Sequence, residues 1–266
     1  MNQIFSALIG SSLLVSGITV FSVLTGWQAP AAAVIFTGSQ GNLAASADFQ
    51  ISGNTLTLTL TNTSTADSNV PSDVLTAVFF KLPNNINLTL NSVFLNNGSN
   101  LLHNGVVQTN PGDIKAPPFA GGWALPNNFG SIPGGANQGL GTAGLGIFQG
   151  NVVNIPGQGG NFNYGLVGSG YTSAGDNAPV LASKLIKNSI VFNLSGVSGL
   201  AEQDISNVSF QYGTSLNETR IPGNPSTTPP PVRDVPEPST TAAIGLLALS
   251  SLGLLKKKSH ESKTSV

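Results

Sequence analysis

Between Phe49 and Thr61 the apolar residues fall at every second position. Phe49 and Ile51 precede Ser52-Gly53-Asn54, and then Leu56, Leu58 and Leu60 alternate with Thr55, Thr57, Thr59 and Thr61. A period of two sends successive side chains to opposite faces, so this segment predicts a β-hairpin with one apolar face and one threonine face. Val74 to Leu82 is apolar on both faces, as a central strand would be. Ile86, Leu88 and Leu90 alternate, and the pattern then slips one place to Val93 and Leu95, which predicts a bulge near Asn91. Ile190, Phe192 and Leu194 mark another strand, and Val208, Phe210 and Tyr212 one more, ended by Gly213 and expected to be the last. Helix signals are sparse. The best, Asn177 to Asn188 with an early Pro179, reads equally as a loop and a strand. The expectation is all-β, an antiparallel β-sandwich over residues 34–220.

The middle of that span differs in kind. From Pro117 to Gly170 there are 16 glycines, half of the 32 in the chain, interleaved with Phe119, Trp123, Phe129, Phe148, Phe162 and Tyr164. Such density disfavours a long helix and favours turns, short strands and close backbone approach. Two readings stand beside each other: a surface region offering Trp123 and Tyr164 to a ligand such as sugar rings, or an insertion pinned to the sandwich by the same aromatics. The second is favoured. Residues 221–234 then form a Pro-rich linker that extends as a spacer.

Two apolar runs flank this domain. Ile4 to Leu24 is uncharged and rich in Leu, Val and Ile, and small residues follow it. Residues 1–33 therefore read as a secretory signal peptide, with Ala31 and Ala33 meeting the Ala-x-Ala rule for a cut after Ala33, and a cut after Ala31 as the alternative. At the other end, Val235-Pro236-Glu237-Pro238 precedes the 17 uncharged residues Ser239–Leu255, and Lys256, Lys257 and Lys258 follow. Two prolines in three positions hold the motif extended. As a transmembrane helix the run spans roughly 25 Å, slightly under a ~30 Å hydrocarbon core, and the lysines snorkel to cover the shortfall. Those lysines stop the span and stay cytoplasmic with residues 259–266, which places everything before Pro236 outside.

Motif, apolar span and basic end, in that order behind a signal peptide, resemble the PEP-CTERM sorting signal of bacterial exosortase substrates over residues 235–258. The tail departs from that pattern in the extra His260-Glu261-Ser262-Lys263-Thr264-Ser265-Val266. Residues 207–216 also look similar to a closing segment of some proteins of that class. The resemblance implies a substrate and not a catalyst. Its partners would be the general secretory machinery, signal peptidase, the membrane and an exosortase-type membrane protease, with extracellular polysaccharide as a further candidate. The protein would sit transiently in the inner membrane as a single-pass chain, N-terminus out, and pass to the cell surface or extracellular matrix.

Charge narrows the chemistry. Between Val34 and Pro238 there are six Lys/Arg against ten Asp/Glu, a net charge of −4, with no basic cluster. No run of cations is available to release phosphate counterions, so nucleic acid is not an expected partner. The absence of cysteine excludes disulfides, thiolate nucleophiles and Cys-type metal sites. Of the two histidines, His103 lies in a turn-like segment and His260 in the tail, so no two-histidine metal site forms outside the cell. Glu202 and Asp204 have the spacing of paired carboxylates but read more simply as a solvated turn. Asp67, Asp73, Asp113 and Asp176 lie in polar loops without a calcium-loop pattern. No cofactor, metal or catalytic residue is expected. The function that follows is that of an exported structural or adhesive protein; the alternative is a permanently anchored carbohydrate-binding domain.

Overall fold

The hairpin expected from the Phe49–Thr61 alternation exists, and its turn is the pair Gly53-Asn54, with Ser52 opposite Thr55. The computed structural model describes residues 33–226, apart from 85, 116–121, 127–131, 133, 143–146 and 149–162. The signal-peptide residue Ala31, the motif Val235-Pro236-Glu237-Pro238, the run Ser239–Leu255 and Lys256, Lys257 and Lys258 lie outside the described residues. Within them the chain is all-β. The strands are β1 (Ala33–Gln40), β2 (Leu43–Ser52), β3 (Thr55–Asn62), β4 (Leu75–Lys81), β5 (Thr89–Leu95), β6 (Asn100–His103), β7 (Val106–Gln108) and β8 (Trp123–Ala124). They continue with β9 (Gln138–Thr142), β10 (Gly165–Val167), β11 (Lys184–Lys187), β12 (Ser189–Ser195), β13 (Ser206–Tyr212), β14 (Arg220–Pro222) and β15 (Asn224–Pro225).

One sheet runs β15-β1-β2-β3-β12-β5, and the other runs β14-β13-β4-β10-β11-β6-β7 with β9 beside β4 and β8 beside β9. Both contribute to a single core. Phe49, Leu56, Leu58, Leu60, Ile190, Phe192 and Leu194 come from the first sheet, and Val78, Phe80, Leu140, Leu166, Ile186 and Phe210 from the second. The leucine face of the hairpin is buried while its threonines are partly or wholly exposed, as the alternation requires.

The bulge lies where the slip in the pattern placed it. Asn193 pairs with Ser92 and Leu194 with Leu90, which leaves Asn91 as the extra residue. Strand β5 begins at Thr89, so Ile86 and Leu88, expected as strand, lie in the loop before it. Three further expectations change. The sheets are not purely antiparallel: β10 and β11 run parallel, Gly165 opposite Leu185. A parallel pair needs a crossover, and residues 168–183, with the four-residue helix α1 (Ala178–Leu181), supply it. The ambiguous stretch from Asn177 is therefore both things, a single turn capped by Asn177 and then strand β11. Strand β13 is not the last, because residues 220–225, expected mostly as linker, form β14 and β15. Pro222 and Pro225 are tolerated there because both strands are sheet edges, where a missing N–H breaks no ladder.

The glycine-rich segment covers the second face of β4. Val78 and Phe80 point into the shared core, whereas Ala77 and Phe79 join Ala124, Ile132 and Phe148 in a separate cluster. Phe79 stacks on Phe148 with ring centroids 6.0 Å apart. Strand β9 reaches this position only because it lacks side chains at two places: a Cβ on Gly139 would lie 2.6 Å from Phe79, and one on Gly141 would overlap the Phe148 ring. The glycines thus let backbone lie flush against aromatic rings.

Candidate functional site

The two aromatics proposed to face a ligand do not face one. Trp123 is fully buried and Tyr164 is 2% exposed. The Trp123 indole donates to the carbonyl oxygen of Tyr164 at 2.8 Å and meets Phe192 edge-to-face at 5.2 Å between centroids. Tyr164 holds φ at 66°, an uncommon value for a residue with a Cβ, and Lys184 Nζ lies 5.9 Å from its ring centroid. Burial raises the Tyr164 phenol above its ordinary pKa. These rings pin the glycine-rich segment to the core and offer no platform to a sugar.

The acidic candidates are engaged locally. Asp113 Oδ1 accepts from the N–H of Val93 at 2.8 Å and of Lys115 at 3.0 Å. Asp73 Oδ2 accepts from the N–H of Asn69 and of Val70, each at 3.2 Å. Glu202 Oε1 takes the Ile51 N–H at 3.1 Å, which ties a single 3₁₀ turn to β2, and Asp204 Oδ2 takes the Ala201 N–H at 3.0 Å. Glu202 and Asp204 therefore belong to one turn, which Asp204 closes on itself and Glu202 fastens to β2. His103 lies on β6, and among the described residues its buried Nδ1 has no hydrogen-bond partner.

Asp67 and Asp176 come together around Tyr171 and Thr172. Tyr171 donates to Asp176 Oδ2 at 2.6 Å, while Thr172 donates to Asp67 through its hydroxyl at 2.6 Å and its N–H at 3.1 Å. Desolvation works to raise the Asp67 pKa, but the bonds from Thr172 and Ser68 and the charge of Lys187 hold it below the ordinary carboxylate value. For Asp176 desolvation dominates, and with the nearby Asp67 charge it raises the pKa despite the Tyr171 bond. Burial, and then the bond to Asp176, push the Tyr171 phenol well up. The cluster clamps the loop before β4 to the crossover after β10. Among the described residues no three acidic or histidine side chains gather as a metal-ligand set.

Two surface features were not visible in the sequence. An open groove of about 750 Å³ lies where β1, β13 and β14 meet, with Phe36, Val208 and Pro222 among its walls and Arg220 as its one charged lining residue. Next to it β13 bulges: Asn207 and Val208 stand opposite the single Phe80, and Asn207 takes φ of 48°. Arg220 is the one ionisable side chain among the described lining residues, so it offers a binding charge without a lining partner for proton transfer. The second feature is the edge strand β7, where Val106 and Val107 are 61% and 60% exposed. Neither left a signal in the sequence, because each depends on which strands lie beside it.

Among the described residues no helix is long and apolar enough to cross a membrane. No family model, curated protein or solved structure matches the chain.

Proposed function

We propose that the chain is an exported surface or extracellular-matrix protein with a structural or adhesive role. Its β-sandwich ectodomain is delivered by a signal peptide, held transiently in the inner membrane by Ser239–Leu255, and freed by an exosortase-type protease at Pro236-Glu237-Pro238. The observation that carries this reading is the meeting of the two ends of the fold. The Ser226 N–H donates to the Ile35 carbonyl at 2.7 Å, and Phe36 stands opposite Pro225, so entry and exit lie side by side at one sheet edge. A domain organised this way is tethered from its C-terminal side without any strand being pulled from the core. A cut at Pro236, ten residues beyond Ser226, breaks none of the described strand pairings. Ten residues reach about 31 Å when extended at 3.1 Å each, enough to stand the domain off a lipid surface.

In this mechanism the prolines hold the recognition motif extended, Glu237 supplies one negative charge between them, and the apolar span confines the motif to the membrane face. The structural role, as opposed to a catalytic one, is supported by Asp67, Asp73, Asp113, Glu202 and Asp204, whose carboxylates accept bonds that hold loops and turns in place. Mass spectrometry of protein recovered outside the cell tests the reading: the expected C-terminus lies at or just before Pro238. Recovery there of chains retaining residues beyond Leu255 would overturn it. Glu237→Ala is expected to leave a tail-bearing form in the membrane fraction.

A further inference from the structure

Among the described residues, the edges of the two sheets are closed by different devices at every place except one. Edge strands β14 and β15 carry Pro222 and Pro225, and the Pro222 carbonyl sits against Gly38 of β1, where a Cβ would come within 2.6 Å of it. The outer edge of β5 is occupied by residues 113–115: the Val93 N–H goes to Asp113, the Val93 carbonyl accepts from the Ile114 N–H at 2.8 Å, and Lys115 Nζ reaches the Leu90 carbonyl at 3.3 Å. Strand β8 is buried, with the Trp123 N–H bound to the Ile114 carbonyl. Strand β7 has none of these. It ends the larger sheet, its three residues are exposed, and the nine residues from Asn104 to Gly112 carry no charge.

Hairpin geometry decides which backbone groups face outward. Asn104 and Gly105, both at positive φ, form the two-residue turn between His103 and Val106. The residues flanking such a turn exchange both hydrogen bonds, so the next pair, Leu102 and Val107, is the non-bonded one and Val107 turns its N–H and C=O away from β6. An outward donor and acceptor on one residue, with valine side chains on both faces, is a template for an extended chain.

We propose that β7 pairs antiparallel with β7 of a second copy of this chain, about a two-fold axis through Val107. On that axis the N–H of each Val107 meets the C=O of the other, and Val106 of one copy stands opposite Gln108 of its partner. A second copy fits this edge because antiparallel pairing about Val107 is self-complementary and no charge on either side opposes it. With one open edge among the described residues of each molecule, the contact closes as a dimer and does not propagate. A three-residue strand covers far less than the roughly 1,000 Å² of a stable interface, so the pairing needs the high local concentration of tethered or crowded chains. This gives the structural role a contact surface, but it rests on the edge geometry and not on tail processing.

The chain contains no cysteine, so one introduced thiol is unique. In cells producing full-length Val107→Cys, a short membrane-permeable bis-maleimide reaches the thiol on either side of the membrane, and it is expected to give a covalent dimer. Asn54→Cys, on the tip of the β2–β3 turn, is the control for random collision. The yield at Val107→Cys is expected to be at least tenfold higher, and to fall at least fivefold when Thr109→Pro removes the next outward N–H. If Thr109→Pro lowers the melting temperature, Val106→Lys is the replacement, since that side chain is already exposed. Equal yields at the two cysteines, no dimer at Val107→Cys, or a yield indifferent to the second substitution would each overturn the proposal. Processing is read separately, from the mass of the mature chain.

Discussion

Trp123 gives its indole N–H to the backbone carbonyl of Tyr164 at 2.8 Å, across 41 residues of mostly glycine-rich chain. The bond lies in the core, where losing a buried hydrogen bond costs about 1–3 kcal/mol. Trp123→Phe is expected to lose about that much, and Trp123→Ala about 3–5 kcal/mol, because a cavity then opens beside Phe192. Urea denaturation followed by circular dichroism measures both. A loss under 1 kcal/mol in Trp123→Ala would mean that the ring does not anchor the segment.

Glycines that touch something should differ from those that touch nothing. A Cβ on Gly170 would overlap the Thr65 carbonyl, whereas one on Gly41, at φ of +59°, would meet no atom within 4 Å. Gly170→Ala forces backbone apart in a packed region and should cost at least as much as typical overpacking, about 1–3 kcal/mol. Gly41→Ala carries only the left-handed penalty, about 1–2 kcal/mol. Thermal melts of the two variants check the ranking, with Gly170→Ala the less stable.

The loop clamp sets a pH dependence. The folded-state pKa of Asp67 lies below its usual 3.8, so its contribution is complete above that value and is lost as pH falls through the depressed one. Asp176 has the opposite sign: its raised pKa gives a contribution that is full below 3.8 and is lost as pH rises through the folded value. Asp67→Asn should therefore lower stability at neutral pH and flatten its decline on acidification below 3.8. Melting temperatures across pH 2.5 to about 7 test this, over the range where carboxylates titrate. An unchanged acid slope would show that Thr172 and Ser68 do not hold the charge.

The proposed signal-peptide cut has a structural bound. Ala33 is the first residue of β1, opposite Gln50, and two residues later the Ile35 carbonyl holds Ser226. On the proposed export, cleavage after Ala33 removes only a terminal pair, and the mature protein is then expected to begin at Val34. N-terminal sequencing checks it. A start beyond Ile35 would remove the acceptor that closes the domain and would contradict the proposed role of that closure.

Where burial repeats along a single strand, the pattern was readable. Leu56, Leu58 and Leu60 announced the buried face of β3, and the slip from Leu90 to Val93 marked Asn91 as the bulge. In both cases the signal is a period-two repeat, a property of the strand itself. The prolines from 221 do not distinguish a linker from an edge strand, because proline ends a central strand but is compatible with an edge, and the sequence does not say which strands are edges.

Local alternation, turn residues and composition were thus enough to settle the β class, the main hairpin and the lack of thiol chemistry. The partner of each strand was not settled by them. The second face of β4 is buried by glycine-rich chain from some sixty residues away, Trp123 is core because Phe192 and Tyr164 reach it, and β7 is an open edge because no strand lies beside it among the described residues. Which face is covered and which edge is free depends on contacts between residues far apart in the chain, and a periodicity confined to one strand carries no record of them.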